Sequence, residues 1–224
     1  MSFHLLHLHS FPIQEQLKIE ESLLRLDTRN FCIINEGSSD AIVMGISGKE
    51  EEWIDLEKAN NDQIPILKRF SGGGTVIVDE NTLFITFICE KSLHPFPAFP
   101  EQIMRWTEKI YRGMFPHEAF CLRENDFVIG DKKIGGNAQY IKKQRWLHHT
   151  SFLWDYSEKK MEYLRHPKKT PPYRAARAHK DFLCRLSNHF SDRGQLIANL
   201  KKTLDDQYGI IPISLEDITP LTLS

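Results

Sequence analysis

Three consecutive glycines, Gly72, Gly73 and Gly74, separate two apolar runs, IPILKRF (64–70) and TVIVD (75–79), and a third run, TLFITFICE (82–90), follows after a two-residue turn. No other stretch of the chain limits its fold as much. Short β-branched runs bounded by glycines and turn residues read as three strands, with SGGG (71–74) as a loop. Glycine loses more backbone freedom on folding than any other residue, so three in a row are seldom kept only to turn the chain. A loop without Cβ atoms lets a ligand come close and aims several N–H groups at its oxygens. Arg69, just ahead of it, can add a charge-assisted contact to a phosphate or carboxylate. A wide hairpin loop is the alternative. The run matches neither the GxxxxGK[ST] phosphate loop nor the GxGxxG dinucleotide fingerprint.

The surrounding chain alternates between strand and helix patterns. Residues 3–9 suit a strand. Residues 12–27 open on Pro12 and place Ile13, Leu17, Ile19, Leu23, Leu24 and Leu26 at mostly helical spacing, with Glu15, Glu20 and Glu21 on the same helix. FCIIN (31–35) and AIVMGI (41–46) read as a pair of strands, and 50–62 as a short helix. Helical spacing returns in 97–115 through Ile103, Trp106, Ile110 and Met114. FVIG (127–130), KKIGGNAQYI (132–141) and RWLHHTSFLWDY (145–156) alternate as strands, while 157–165 and 191–207 read as helices. The proline-rich, basic stretch HPKKTPPYRAARAHK (166–180) is expected to be a long surface loop. The sum is an α+β domain, a mostly antiparallel sheet with helices packed on it.

Composition excludes several classes. At 224 residues, with 41% hydrophobic and 26% charged residues, the chain fits a globular protein of one large domain or two small ones. Its formal net charge of −1 argues against a globally basic nucleic-acid binder. No apolar run approaches the roughly 20 residues that span a bilayer. The N-terminus has no signal-peptide pattern, and Cys32, Cys89, Cys121 and Cys184 are far apart with no CxxC, so a reduced, cytoplasmic compartment is expected. Charge is unevenly spread. Residues 132–185 hold 14 Lys and Arg against 4 Asp and Glu, or +10, whereas the remainder holds 15 against 26, or −11. A basic face of this kind steers an acidic protein or an anionic ligand.

Two further clusters can carry chemistry. Asn125-Asp126 precedes Gly130-Asp131-Lys132-Lys133-Ile134-Gly135-Gly136-Asn137-Ala138, so two lysines adjoin a glycine pair on a strand. Period-two alternation sends Lys132 and Lys133 to opposite faces, and one of them can face a pocket. In His148-His149-Thr150-Ser151 the same alternation separates the two histidines, which argues against a shared metal. His7 and His9 do share a strand face, but no third ligand stands out beside them, so they read as surface or packed histidines and no metal site is expected. No GxSxG nucleophile is present. Cys121, the cysteine nearest these clusters, reads as a small buried residue more readily than as a nucleophile.

Taken together and in this order, the clusters resemble the lipoate–protein ligase A family. LKRFSGGGTVIVDENTLF is similar to its RRxSGGGxVxHDxGN signature, ENDFVIGDKKIGGNAQ to NDxxxxGxKxxGxA, HHTSFL to HHGTLL, and QLKIEESLL to the NLAxEE segment. Val78 stands where that family has His, Thr150 where it has Gly, and Gln16 where it has Asn. The resemblance implies the biotin/lipoate-protein ligase catalytic fold, akin to class II aminoacyl-tRNA synthetases, as one domain over 1–224 without the accessory C-terminal domain. It implies attachment of lipoate, through lipoyl-AMP, to a lysine of a carrier: the lipoyl domains of 2-oxoacid dehydrogenase E2 subunits, the glycine cleavage H protein, or both. ATP and Mg²⁺ would serve the activation step, with lipoate or octanoate as substrate and possible help from a separate activating subunit. Lys133 would be the catalytic cation. Arg69, Ser71, Gly72, Gly73, Gly74 and Thr75 would bind the acyl head and adenylate. Asn125 would join the substrate- and adenylate-binding residues, Asp126 would hold Lys133 or the nucleotide, Gly135, Gly136 and Ala138 would be small because the ligand lies on their strand, and His149 would line the acyl pocket. The alternatives are an octanoyltransferase working through a Cys121 thioester, and a non-catalytic acyl- or nucleotide-binding subunit.

Overall fold

The computed structural model describes residues 2–117, 119–165, 171–175 and 177–218. In chain order it runs β1 (Phe3–His9), α1 (Ile13–Leu26), β2 (Asn30–Glu36), β3 (Ala41–Met44), α2 (Glu50–Trp53), α3 (Leu56–Asn61), β4 (Ile66–Lys68), β5 (Thr75–Val78) and β6 (Thr82–Glu90). It continues with α4 (Pro100–Met114), β7 (Phe120–Arg123), β8 (Asp126–Ile129), β9 (Lys132–Lys133), β10 (Gly135–Ile141), β11 (Arg145–Leu153), α5 (Glu158–Met161), α6 (His179–Phe182), α7 (Arg193–Tyr208) and β12 (Ile210–Ile213).

Six strands form the main sheet in the order β10-β11-β6-β2-β1-β12. β1 runs parallel to both β2 and β12, and the other pairings are antiparallel. Both faces are covered, so β2 and β6 are buried through their interiors and carry the apolar runs FCII (31–34), LFI (83–85) and FIC (87–89) instead of a strict apolar–polar alternation. On one face α4 and α7 bury Trp106, Tyr111 and Leu200 against Phe3 and Phe87. On the other, Leu23 and Leu24 of α1 pack on Leu6, Phe31 and Ile88. Each such fully buried side chain contributes roughly 1.5–3 kcal/mol of transfer free energy. A second sheet, β4-β3-β5, packs Val43 and Val78 against Ile13 and Phe84 beside α1, and a third, β7-β8-β9, flanks α4. The result is the expected α+β class with a mixed sheet.

Several expectations need correction. The runs 31–35 and 41–46 are strands but not partners, because β2 belongs to the main sheet and β3 to the second. The chain crosses between them at Gly37, whose φ of +93° and close approach to the Glu80 backbone admit no side chain. β4 and β5, on either side of the glycine loop, each pair with β3 and not with each other, so the loop is not a hairpin turn. KKIGGNAQYI is two strands. Buried Ile134 donates its N–H to the Phe127 carbonyl and accepts from the Leu153 N–H, handing the chain from the third sheet to the main one. The helix expected over 157–165 is the single turn α5. The basic stretch is no open surface loop where it is described. It makes a 3-10 turn at Pro172–Arg174 and the short α6, and it buries Tyr173, Arg174 and Phe182. Residues 166–170 and 176, including Lys168 and Lys169, lie outside the described residues. No helix among the described residues is long and apolar enough to cross a membrane.

Candidate active site

β5, β10 and β11 form one wall of a cavity of about 820 Å³, and Pro171, Pro172, Arg174, His179 and Phe182, with Trp53, Leu164 and Arg165, form the other. The second wall is stitched to the first part of the chain. The Arg165 N–H donates to the Trp53 carbonyl, and its guanidinium donates to the Glu51 carbonyl at 2.7 Å. A smaller chamber of about 100 Å³ opens beside it, between α1, β5 and β10. The two share Gly74, Thr75, Val76, Lys133, Gly136 and Ser151. A ligand with a bulky part and a slim tail matches that pair of volumes.

Lys133 stands where the chambers meet. Its Nζ lies 2.6 Å from Asp126 Oδ1. Tyr173 donates its hydroxyl to Asp126 Oδ2 at 2.7 Å, so both carboxylate oxygens are engaged. Burial and the neighbouring Asp126 carboxylate push the Tyr173 phenol well above its ordinary range, which keeps it a proton donor to the carboxylate. Lys132 is exposed, as the alternation requires. Asn125 lines the large cavity and accepts at its carbonyl from the Asn137 side chain, tying the β7–β8 turn to β10.

The glycine loop closes on Arg69. This buried guanidinium donates to the carbonyls of Gly72 (2.9 Å), Gly74 (2.8 Å) and Val43 (3.2 Å), and burial lowers its pKa to about 10. Arg69 thus borders the small chamber while its donors serve the loop. Gly73, at φ +106°, has the Arg69 guanidinium 2.7 Å from where a Cβ would stand, so it is small for the loop's sake. Ser71 is buried, and its carbonyl accepts from Ile46 N–H. Of the run, Gly74 and Thr75 face the chambers. The strand glycines also differ from expectation. A Cβ on Gly135 would meet the Ser151 carbonyl at 2.8 Å and Phe152 at 3.0 Å, so β11 and not a ligand requires that glycine. Gly136 is crowded by Val76 at 3.2 Å and lines both chambers. Ala138 and His149 line the small one, as does Val78.

Sequence reasoning left Glu20 without a role. It is 1% exposed on α1, and Oε1 accepts from Gln16 (2.8 Å), Thr86 (2.7 Å) and His149 Nδ1 (2.9 Å). With Nδ1 taken, Nε2 is the His149 nitrogen available to a ligand. Gln16 Oε1 in turn accepts from Asn35, which also bonds both ways with the Phe11 backbone. His148 faces the other side of the sheet. Gln139 can only donate to its Nδ1, so Nε2 carries the hydrogen and donates to Thr150, and the ring is neutral. Burial lowers its pKa to about 3. The Thr150 hydroxyl also accepts from Tyr111 and donates to Asn137. Tyr173 was hidden for a different reason, since it lies in the stretch whose prolines and charges suggested solvent. Cys121 lines neither chamber; it packs against Val128, Tyr173 and Phe182.

The profile of the family described as lipoyl protein ligase A/B catalytic domain matches residues 12–206. Inactive lipoate–protein ligase 2 of Plasmodium falciparum is 28% identical over 236 aligned residues, covering 77% of this chain and 60% of the relative. Lipoate-protein ligase LplJ of Bacillus subtilis is 29% identical over 143 residues, covering 62% of this chain and 42% of the relative. The chain therefore spans about half the length of these curated relatives. Among solved structures, lipoate-protein ligase A bound with ATP superimposes with a TM-score of 0.81 at 15% identity, covering the whole of this chain and 93% of the other. A bi-partite lipoate protein ligase from Thermoplasma acidophilum gives 0.81 at 17%, covering the whole of this chain and 91% of the other. With the family profile matching most of its length, the chain belongs to the lipoyl protein ligase A/B catalytic-domain family.

Proposed function

We propose that this chain transfers a lipoyl group from lipoyl-adenylate to a lysine of a carrier lipoyl domain. The observation that carries the reading is Lys133 at the junction of the two chambers, with its counter-ion held from behind by Tyr173. The adenylate fills the large cavity and the acyl tail the small one. That places the carbonyl–phosphate anhydride beside Lys133 Nζ. The ammonium polarises the acyl carbonyl and meets the charge that develops on it and on the phosphate oxygens. The carrier lysine's amine then attacks the carbonyl carbon. A C–N bond forms, the C–O bond to phosphate breaks, AMP leaves, and the amine's proton passes to solvent. His149 Nε2, oriented through Glu20, is the polar contact in the tail chamber.

ATP and lipoate enter this reading as substrates, as the names of the similar structures suggest, and Mg²⁺ as the nucleotide's own counter-ion. Asp126 is committed to Lys133 and Tyr173, so a magnesium ion would ride on phosphate oxygens with its waters. The T. acidophilum lipoylation system comprises a bi-partite lipoate protein ligase and its E2 lipoyl domain. We extend both features to this chain: an E2-type lipoyl domain as acceptor, and a second polypeptide for adenylation.

The test uses the purified chain with an apo lipoyl domain and reads the carrier's mass. Synthetic lipoyl-AMP is expected to yield the lipoylated carrier in excess of the uncatalysed background. Lipoate with ATP and Mg²⁺ is expected to yield none until the second polypeptide is added. No enzyme-dependent gain from lipoyl-AMP would overturn the transferase reading. Full activity from lipoate and ATP alone would overturn the need for a second chain.

A further inference from the structure

His7 and His9 share a face of β1, and the neighbouring strand supplies the third donor that the linear sequence hides. β1 and β2 are parallel and in register, with His9 beside Glu36. Aligned residues of neighbouring strands point to the same face, so Glu36 joins the two imidazoles at the C-terminal ends of both strands. His7 Nε2 lies 2.8 Å and His9 Nδ1 3.3 Å from Glu36 Oε1, and the three donor atoms lie within 4.8 Å of one another. Ligand atoms about 2.0–2.2 Å from a tetrahedral zinc ion sit roughly 3.3–3.5 Å apart, so little movement would gather these three around one ion. His9 is 68% exposed on its side chain, which leaves a way in for the ion and room for water in the remaining position.

We propose that His7, His9 and Glu36 form a binding site for one divalent transition-metal ion, zinc above others. Two imidazoles and one carboxylate are a borderline donor set that suits zinc or cobalt and disfavours magnesium and calcium. Two cations on α7 border the site, and they act differently. Arg193 Nε lies 3.3 Å from Glu36 Oε2, the oxygen that faces away from the imidazoles, and holds the carboxylate in place. Lys201 Nζ lies 2.9 Å from His7 Nδ1. An ammonium can only donate, so in the metal-free protein His7 carries its hydrogen on Nε2 and gives it to Glu36. Metal on Nε2 moves that hydrogen to Nδ1 and sends the Lys201 ammonium out to solvent. Lys201 is therefore a built-in competitor of the metal. The site is on the α4–α7 face of the sheet, with Phe3 and Leu5, and the Glu20–His149 pair lies on the opposite face.

Calorimetric titration of the full chain with zinc chloride at neutral pH tests the site, with the visible absorption of added Co²⁺ as a second readout. The expected result is one saturable equivalent and cobalt bands of low-coordinate geometry. His9→Ala and Glu36→Gln are each expected to weaken binding at least tenfold. Both sit at the surface end of their strands, and circular dichroism checks that they stay folded. Lys201→Met is expected to tighten binding severalfold, a response that scattered surface histidines would not give. No saturable equivalent overturns the proposal, as does binding that survives both His9→Ala and Glu36→Gln unchanged. An unchanged affinity in Lys201→Met overturns the competition between ammonium and metal.

Discussion

Around the small chamber, Arg69 gives its donors to the carbonyls of Gly72, Gly74 and Val43, and behind His149 Glu20 gathers Gln16, Thr86 and His149 itself. On the large chamber's side, at its junction with the small one, Lys133 faces open volume and pairs with Asp126, which Tyr173 ties to the wall. Polar groups bonded to one another set a shape, whereas a cation facing open volume is available to a ligand. Substitutions in the first chamber should therefore act on stability, and substitutions in the second on rate.

The largest separation is expected at Lys133. Lys133→Ala should slow transfer from lipoyl-AMP by a few hundredfold, about 3–4 kcal/mol in the barrier, with the thermal midpoint nearly unchanged. A matching loss of stability would show that Lys133 is part of the wall's structure. Next in size is Glu20→Ala. It leaves three buried donors without their acceptor and should cost roughly 1–3 kcal/mol of unfolding free energy in urea titration. A Glu20→Ala protein as stable as the parent, but slow, would erase the contrast. Tyr173→Phe removes one hydrogen bond to a charged carboxylate, and a five- to twentyfold drop in transfer at unchanged carrier affinity is expected, in keeping with about 1–2 kcal/mol.

Acid should act on the scaffold as well. The folded pKa of His148 is lowered to about 3 and that of His94 to about 4, both by burial. Between those values and the unfolded 6.5 the unfolded chain binds more protons, so stability is full above pH 6.5 and falls as pH drops. The expected slope is up to about 1.4 kcal/mol per pH unit for each ring, seen as a falling urea midpoint between pH 6.5 and 4. His148→Gln should flatten that slope. The smallest effect belongs to Lys132→Ala, expected within twofold of the parent rate, because that side chain faces solvent.

The strands themselves were legible, and so was the side of its strand to which Lys133 points. Alternation separated Lys132 from Lys133 and His148 from His149, because side-chain direction in a strand is a local property. Pairing is not local. Nothing within FCIIN or AIVMGI says that Gly37 presses against Glu80 and diverts the second run into another sheet. The glycine runs suggest room for a ligand, yet Gly73 makes room for Arg69 and Gly135 for β11, since a small residue does not announce which neighbour needs the space. Tyr173 and Glu20 escaped for related reasons. One sits in a stretch whose composition suggests solvent, and the other shares its helix with two acids that do face solvent.

β1 pairs in parallel with β12, Phe3 opposite Ile210. β1 therefore waits for a strand some 200 residues further along the chain before its outer edge is covered. Closing so long a loop costs entropy before any contact repays it, which places this docking late and makes it slow. Until then β1 offers bare N–H and C=O groups along an apolar strand, the kind of edge that pairs with other chains. Expression at lower temperature, or with a chaperone that shields strand edges, should raise soluble yield by covering that interval.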